Sequence, residues 1–218
     1  MTIKSGYFKT RLHVDLSSGS CQRQKLSDDF LEQYVGGRGF GAKLVWDHLV
    51  QHNFQIDPLG PENLLVIAPG PLTGAYLPSS GKCSFVSISP QTGVYGDSSI
   101  GGTFGVELRQ AGLDMLTVVG RAPELSVLWI DEDETRILPM PELAGKSCLE
   151  AEGLIKERLR THDVKVAVIG VAGENLVRFC LCQRRLVPQR GPRGHGGHSR
   201  LKKHQSHRPS RAQGSAGP

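Results

Sequence analysis

The sequence predicts an α+β fold of mostly antiparallel, hairpin-linked strands with interspersed helices, and three observations carry that reading. Apolar runs of strand length, Leu64 to Ala68 and Cys83 to Ile88, are each followed by a Pro-x-Thr-Gly turn, at 71–74 and 90–93. Segments with apolar residues at helical spacing carry their own start and stop signals. Most strand-like runs are joined by short polar turns, which suit antiparallel neighbours better than crossovers.

From the N-terminus, Phe8, Thr10, Leu12, Val14 and Leu16 alternate with more polar neighbours, and Ser17-Ser18-Gly19 turns the chain into a second strand, Cys21 to Leu26. Ser27 is placed to cap a short helix bearing Phe30, Leu31, Tyr34 and Val35, which Gly36-Gly37 ends. Gly36-Gly37-Arg38-Gly39-Phe40-Gly41 then opens a helix with Leu44, Val45 and Leu49. It is not a dinucleotide fingerprint, because the spacing differs and a helix rather than a strand precedes it.

A Pro- and Gly-rich loop at 57–63 leads to the central stretch, Leu64 to Gly112. Its centre reads as a turn, Asp97-Ser98-Ser99-Ile100-Gly101-Gly102, before a helix in which Phe104, Leu108 and Ala111 share a face and Gly112 is the stop. Glycines ahead of a helix let backbone N–H groups approach an anion closely, the outline of a phosphate cradle. The same residues also fit ordinary turn chemistry. Beyond them lie strands Met115 to Val119, Leu125 to Ile130 and Thr135 to Leu138, the last two joined by the acidic turn 131–134. That turn reads as a solvated hairpin tip rather than a metal site, since nothing nearby completes an oxygen cage. Ser147 and Glu150 have capping-box spacing ahead of Leu154, Ile155 and Leu159. Val164 to Ile169 reads as a buried strand, Gly170 to Asn175 as a turn, and Leu176 to Leu181 as the last strand.

At 218 residues and 38% hydrophobic content, the chain can bury one sizeable core plus a tail. No run is long enough to cross a bilayer and the start lacks an apolar signal segment, so the expected location is cytoplasmic. Five scattered cysteines, at 21, 83, 148, 180 and 182, do not suggest a disulfide framework. Charge is uneven. Residues 183–218 hold nine Lys/Arg and no Asp/Glu, leaving 17 basic against 21 acidic side chains in 1–182, a net −4. The basic segment has too few apolar residues to fold, so the expected units are 1–182 and a disordered tail, 183–218.

Four motifs occur in order: GGRGFGAKL at 36–44, DPLGPENLLVIAPGPLTG at 57–74, SPQTGVYGDSSIGGTFGVELRQAGLD at 89–114 and IGVAGENLVRF at 169–179. On these, residues 6–181 resemble the N-terminal domain of the aldehyde ferredoxin oxidoreductase family, the tungsten-pterin enzymes. The resemblance implies a layered sandwich of two related, mainly antiparallel sheets with helices, between which a metal-bis-pterin cofactor sits. It puts the basic contact to a pterin phosphate on Lys82, where Arg is usual. It puts the backbone carbonyl that helps hold the magnesium between the pterin phosphates on Ser99. Gly101 falls on a glycine that approaches the pterin, with Gly102 beside it. The implied reaction of the full-length parent is oxidation of an aldehyde to a carboxylic acid, with electrons passing from tungsten (or molybdenum) through a 4Fe-4S cluster to ferredoxin. Neither cluster ligands nor a catalytic residue is assigned here. Cys180 and Cys182 form only a C-x-C pair.

The chain departs from the family pattern at about Phe179, where an Arg- and Gly-rich segment and a GAVMGSKNLKAIAV-like stretch are expected. Gly196 to His207 admits codons that, read one base on, encode Gly-Ala-Ile-Leu-Gly-Ser-Lys-Asn-Thr-Lys-Ala. The tail therefore reads as an out-of-frame product, and the chain as a truncated domain without turnover of its own. The alternatives are a non-catalytic binding or assembly protein of the same fold, or nucleic-acid binding through the tail, which lacks interleaved aromatics for stacking. No membrane partner is expected, and a homo-oligomer is compatible with the reading.

Overall fold

In the computed structural model, the described residues are 6–75, 77–131, 134–161 and 163–178, with the backbone alone of 201–205. The N-terminal hairpin is β1 (Thr10–Asp15) and β2 (Ser20–Lys25), followed by α1 (Asp28–Tyr34) and α2 (Arg38–Gln51). Then come β3 (Leu65–Pro69), β4 (Cys83–Ile88), β5 (Tyr95–Ile100), α3 (Phe104–Gln110) and β6 (Met115–Val119). The second half holds β7 (Ser126–Ile130), β8 (Thr135–Pro139), a 3-10 turn at Pro141–Leu143, α4 (Cys148–Arg158), β9 (Lys165–Ala167), α5 (Gly170–Glu174) and β10 (Leu201–Gln205).

Local chemistry accounts for the helix boundaries. Ser27 caps α1 by accepting from the Phe30 N–H, and a complete capping box joins Ser147 and Glu150 at the start of α4. Gly112, at φ +72°, follows α3 where a left-handed residue is needed.

Two sheets form the layers. The first has order β2-β1-β6-β3-β4-β5, all neighbours antiparallel except β1 and β6. The second has order β8-β7-β10-β9. Strand alternation assigns each face of the first sheet to a separate cluster. Val66, Val86 and Ile88 pack with Leu31, Phe40 and Val45 under α1 and α2. Leu12, Val14, Ile67 and Phe85 point the other way, packing with Phe104 and Leu108 of α3 and with Leu128 and Ile130 of β7. The far face of the second sheet, Val127, Trp129 and Val166, packs against Ala151 and Ile155 of α4. The result is a layered α+β sandwich: outer helices, a sheet, α3 wedged between, a second sheet, an outer helix.

The sheets are related in strand order: β8-β7-β10-β9 repeats β2-β1-β6-β3, a hairpin followed by a late strand and then the strand after the helices. They differ in one direction, since β6 runs parallel to β1 whereas β10 runs antiparallel to β7.

Three local expectations are corrected. Asp97 to Ile100, read as part of a turn, belongs to β5, paired antiparallel with β4 over six residues. As the edge strand it has one neighbour and mostly exposed side chains, so apolar alternation had no reason to appear. Gly170 to Asn175, read as a turn, contains the one-turn helix α5. Leu176 to Arg178 is not strand, and 179–181 lies outside the described residues. So does the tail 183–218 apart from the backbone of β10.

Candidate functional site

The β4–β5 end of the first sheet positions Lys82, Ser99, Gly101 and Gly102. The pairing register runs from Ile88↔Tyr95 to Ser84↔Ser99 and Cys83↔Ile100. One further step sets Lys82 opposite Gly101, and a second sets Gly81 opposite Gly102. A Cβ on Gly81 would collide with the Gly102 carbonyl, so the two strands close up here as only bare main chain allows.

Gly101 itself is open: a Cβ built on it would meet nothing within 4 Å. Gly102 carries φ +83°, the left-handed region that favours glycine, and turns the chain into α3. That helix is only seven residues long and its N-cap, Thr103, makes no side-chain cap bond. This corner therefore presents main-chain shape and nearby side-chain charge rather than a long helix dipole.

Thr73 holds the Lys82 segment in place. Its hydroxyl accepts from the Gly70 N–H at 2.9 Å and donates to the Lys82 carbonyl at 2.9 Å, tying the end of β3 to the start of β4. Thr73 is 8% exposed. The Pro-x-Thr-Gly motif marked this residue as a turn former, and the duplicated motif was the signal that the turn mattered. Its brace on Lys82 is visible only in three dimensions.

Alternation places Lys82, Ser84, Ser99 and Gly101 on the face that α2 covers, along with Asp97. The N-terminal end of α2 reaches this corner: a Cβ on Gly37 would lie 3.3 Å from the Ser84 hydroxyl. Arg38, the first residue of α2, forms an ion pair with Asp97 at 3.6 Å. Lys82 is exposed, and among the described residues no ion pair involves it.

The Ser99 carbonyl is turned outward. The Ser89 N–H donates to the Val94 carbonyl at 2.8 Å, which makes 89/94 a hydrogen-bonded pair. In an antiparallel ladder such pairs alternate with non-bonded ones, so 84/99 is non-bonded and the Ser99 backbone groups face the open edge of β5. A carbonyl there is available to a hard cation without loss of a ladder bond.

The other candidates resolve as structural. Asp131 and Glu134 close the β7–β8 hairpin, the Asp131 N–H donating to the Glu134 carbonyl at 2.8 Å, and Glu134 pairs with Arg136. Cys83 is buried in the core, and burial pushes its thiol far above the usual range. Burial also pushes the Cys21 thiol up. Among the described residues no group of three His, Cys, Asp or Glu side chains could hold a metal ion, and Cys180 and Cys182 lie outside them. A separate open cavity of about 730 Å³, bounded by Leu16 to Gly19, Cys21 and β8, contains none of the predicted site residues.

Residues 11–203 match the family profile described as aldehyde ferredoxin oxidoreductase, N-terminal domain. The chain belongs to the aldehyde ferredoxin oxidoreductase family. Among its relatives is the tungsten-containing aldehyde ferredoxin oxidoreductase of Thermococcus kodakarensis, 38% identical over 168 residues, covering 77% of this chain and 27% of the relative. The aliphatic sulfonate oxidoreductase, WOR-like subunit, of Pyrococcus furiosus is 34% identical over 197 residues, covering 85% of this chain and 31% of the relative. A solved structure described as the active site complex BamBC of benzoyl coenzyme A reductase, in complex with 1,5-dienoyl-CoA, superposes with TM-score 0.79 at 34% identity. It covers 84% of this chain and 27% of that chain. The chain thus spans under a third of the length of these oxidoreductases, at the end where the family's N-terminal domain lies.

Proposed function

We propose that this chain supplies the phosphate-gripping floor of a tungsten- or molybdenum-pterin site, in an oxidoreductase that converts aldehydes and water to carboxylic acids with ferredoxin as electron acceptor. The observation that carries the proposal is the open space at the position a Gly101 Cβ would take, directly across the sheet from the exposed Lys82, which no ion pair among the described residues engages. Space for close approach at a glycine and an exposed cation at one strand end suit a phosphate, and they offer little to an apolar ligand.

Each residue has one task. Lys82 provides a point charge to one pterin phosphate. Gly101 and Gly102 let that phosphate approach the backbone. The Ser99 carbonyl would be a ligand to a magnesium ion held with the phosphates, whose charge would offset their mutual repulsion. When bound, the metal-pterin would supply the redox chemistry that takes aldehyde and water to the acid. None of the residues described here moves a proton or forms a bond to substrate. They bind and orient.

The test is the metal and pterin content of the protein purified after expression with tungstate, for wild type, Lys82→Ala and Lys82→Arg. Retention should fall at least tenfold in Lys82→Ala, the loss expected when a charge-assisted contact is removed. It should be kept or improved in Lys82→Arg, whose fork can grip two oxygens. Equal retention in all three, or none in any, would refute the assignment.

A further inference from the structure

The GGRG segment at the head of α2 is not used by the site as described above, and it lies against that site. Arg38 is the first residue of a 14-residue helix whose N-cap, Gly37, makes no side-chain cap bond, and no acidic residue lies in its first turn. Its guanidinium is 71% exposed, and its ion pair with Asp97 is 3.6 Å, beyond hydrogen-bond reach. A pair this loose and exposed contributes little to stability, so the Arg38 charge is not committed to its partner. Asp97 and Ser99 stand two residues apart on one face of β5, and Lys82 and Gly101 lie on that same face one pair further along. Tyr95, on this face too, senses both charges: its phenol is held above its usual range first by burial and then by Asp97, with Arg38 opposing.

We propose that Arg38 is a second cationic contact to the cofactor's phosphate group, reached by exchanging Asp97 for the incoming anion. The proposal rests on the Lys82–Gly101 reading and deepens it. Asp97 keeps Arg38 loosely beside the strand that carries the cradle. When a phosphate arrives, the guanidinium gains a better partner, with two oxygens in the plane of its fork. Asp97 also gives the corner selectivity, since its carboxylate repels an anion that Arg38 does not neutralise. Arg38 is thus a binding residue, and Asp97 is a positioning residue that acts through it.

The experiment is calorimetric titration of the full chain with inorganic pyrophosphate in excess magnesium, run on wild type, Lys82→Ala, Arg38→Ala, Arg38→Lys and Asp97→Asn, with a thermal melt of each. Arg38→Ala should weaken binding about tenfold with an unchanged melting temperature. Arg38→Lys should recover part of that loss, and Asp97→Asn should tighten binding severalfold. If Lys82→Ala weakens binding and Arg38→Ala does not, the site stands and the role of Arg38 falls. If Asp97→Asn and Arg38→Ala both weaken binding and lower the melting temperature, the pair is a structural clamp and the exchange is wrong. If wild type does not bind, or Lys82→Ala binds as wild type does, the site itself is wrong and this proposal falls with it.

Discussion

At the scale of single residues, the most deeply invested polar side chain is not in the site at all. Asp114 is 1% exposed, accepts from the Phe8 and Thr10 N–H groups at 3.2 and 3.1 Å, and is ion-paired with Arg109. Through these bonds it anchors the start of β1 to the entry of β6. Replacing it with Ala would strand the Arg109 charge and two backbone donors, and should cost about 3–5 kcal/mol in urea unfolding. A loss below about 1 kcal/mol would show that the network is not what fixes β1. Nothing in the string Ala-Gly-Leu-Asp-Met marks this aspartate as buried rather than as one more turn residue. Lys82, by contrast, could be named as a candidate from the sequence, because it falls on a basic position of a recognisable family pattern. What the sequence could not show was that its face is shared with Ser99, Gly101 and Arg38, since that depends on the parity of a strand that the sequence hid.

At the scale of elements, β4 is held between two helices by two glycines. A Cβ on Gly41 of α2 would collide with the Val86 side chain on one face, and a Cβ on Gly105 of α3 would lie 2.8 Å from the Cys83 Cβ on the other. Gly41→Ala should therefore destabilise the protein by about 1–3 kcal/mol, the usual cost of overpacking. Gly153→Ala, on the exposed side of α4 with nothing within 4 Å, should stabilise by up to about 1 kcal/mol. Urea unfolding of the pair checks both, and equal shifts would mean that the close approach to β4 carries no energetic weight. Elements with an apolar pattern or a side-chain cap were legible: β1 lies where alternation put it, β4 and β6 where apolar runs of strand length did, and α1 and α4 where Ser27 and Ser147 did. Strand β5 was not, because an edge strand is held by backbone bonds to one neighbour and its Gly, Asp and Ser residues carry no pattern. That omission mattered, since β5 carries Asp97 and Ser99.

At the scale of the whole molecule, the layers explain where the site can be. The core fills the space between the sheets and beneath the outer helices, so among the described residues unpaired strand main chain is expected at strand ends and at sheet edges, of which β5 is the one beside Lys82. The α+β class followed from strand-length apolar runs, helical spacing and hairpin-length turns, whereas the pairing of two related sheets came from resemblance, which put the cofactor rather than α3 between them, because local pattern does not say which faces meet. Among the described residues no helix is long and apolar enough to cross a membrane. The central claim is that the open space beside Gly101 receives a phosphate. It is tested most directly by phosphorus NMR titration of magnesium pyrophosphate into wild type and Gly101→Val. The added side chain has open space and no positive φ to oppose it, so the fold should be unchanged while binding falls at least tenfold. A Gly101→Val protein that binds pyrophosphate as tightly as wild type would contradict the account.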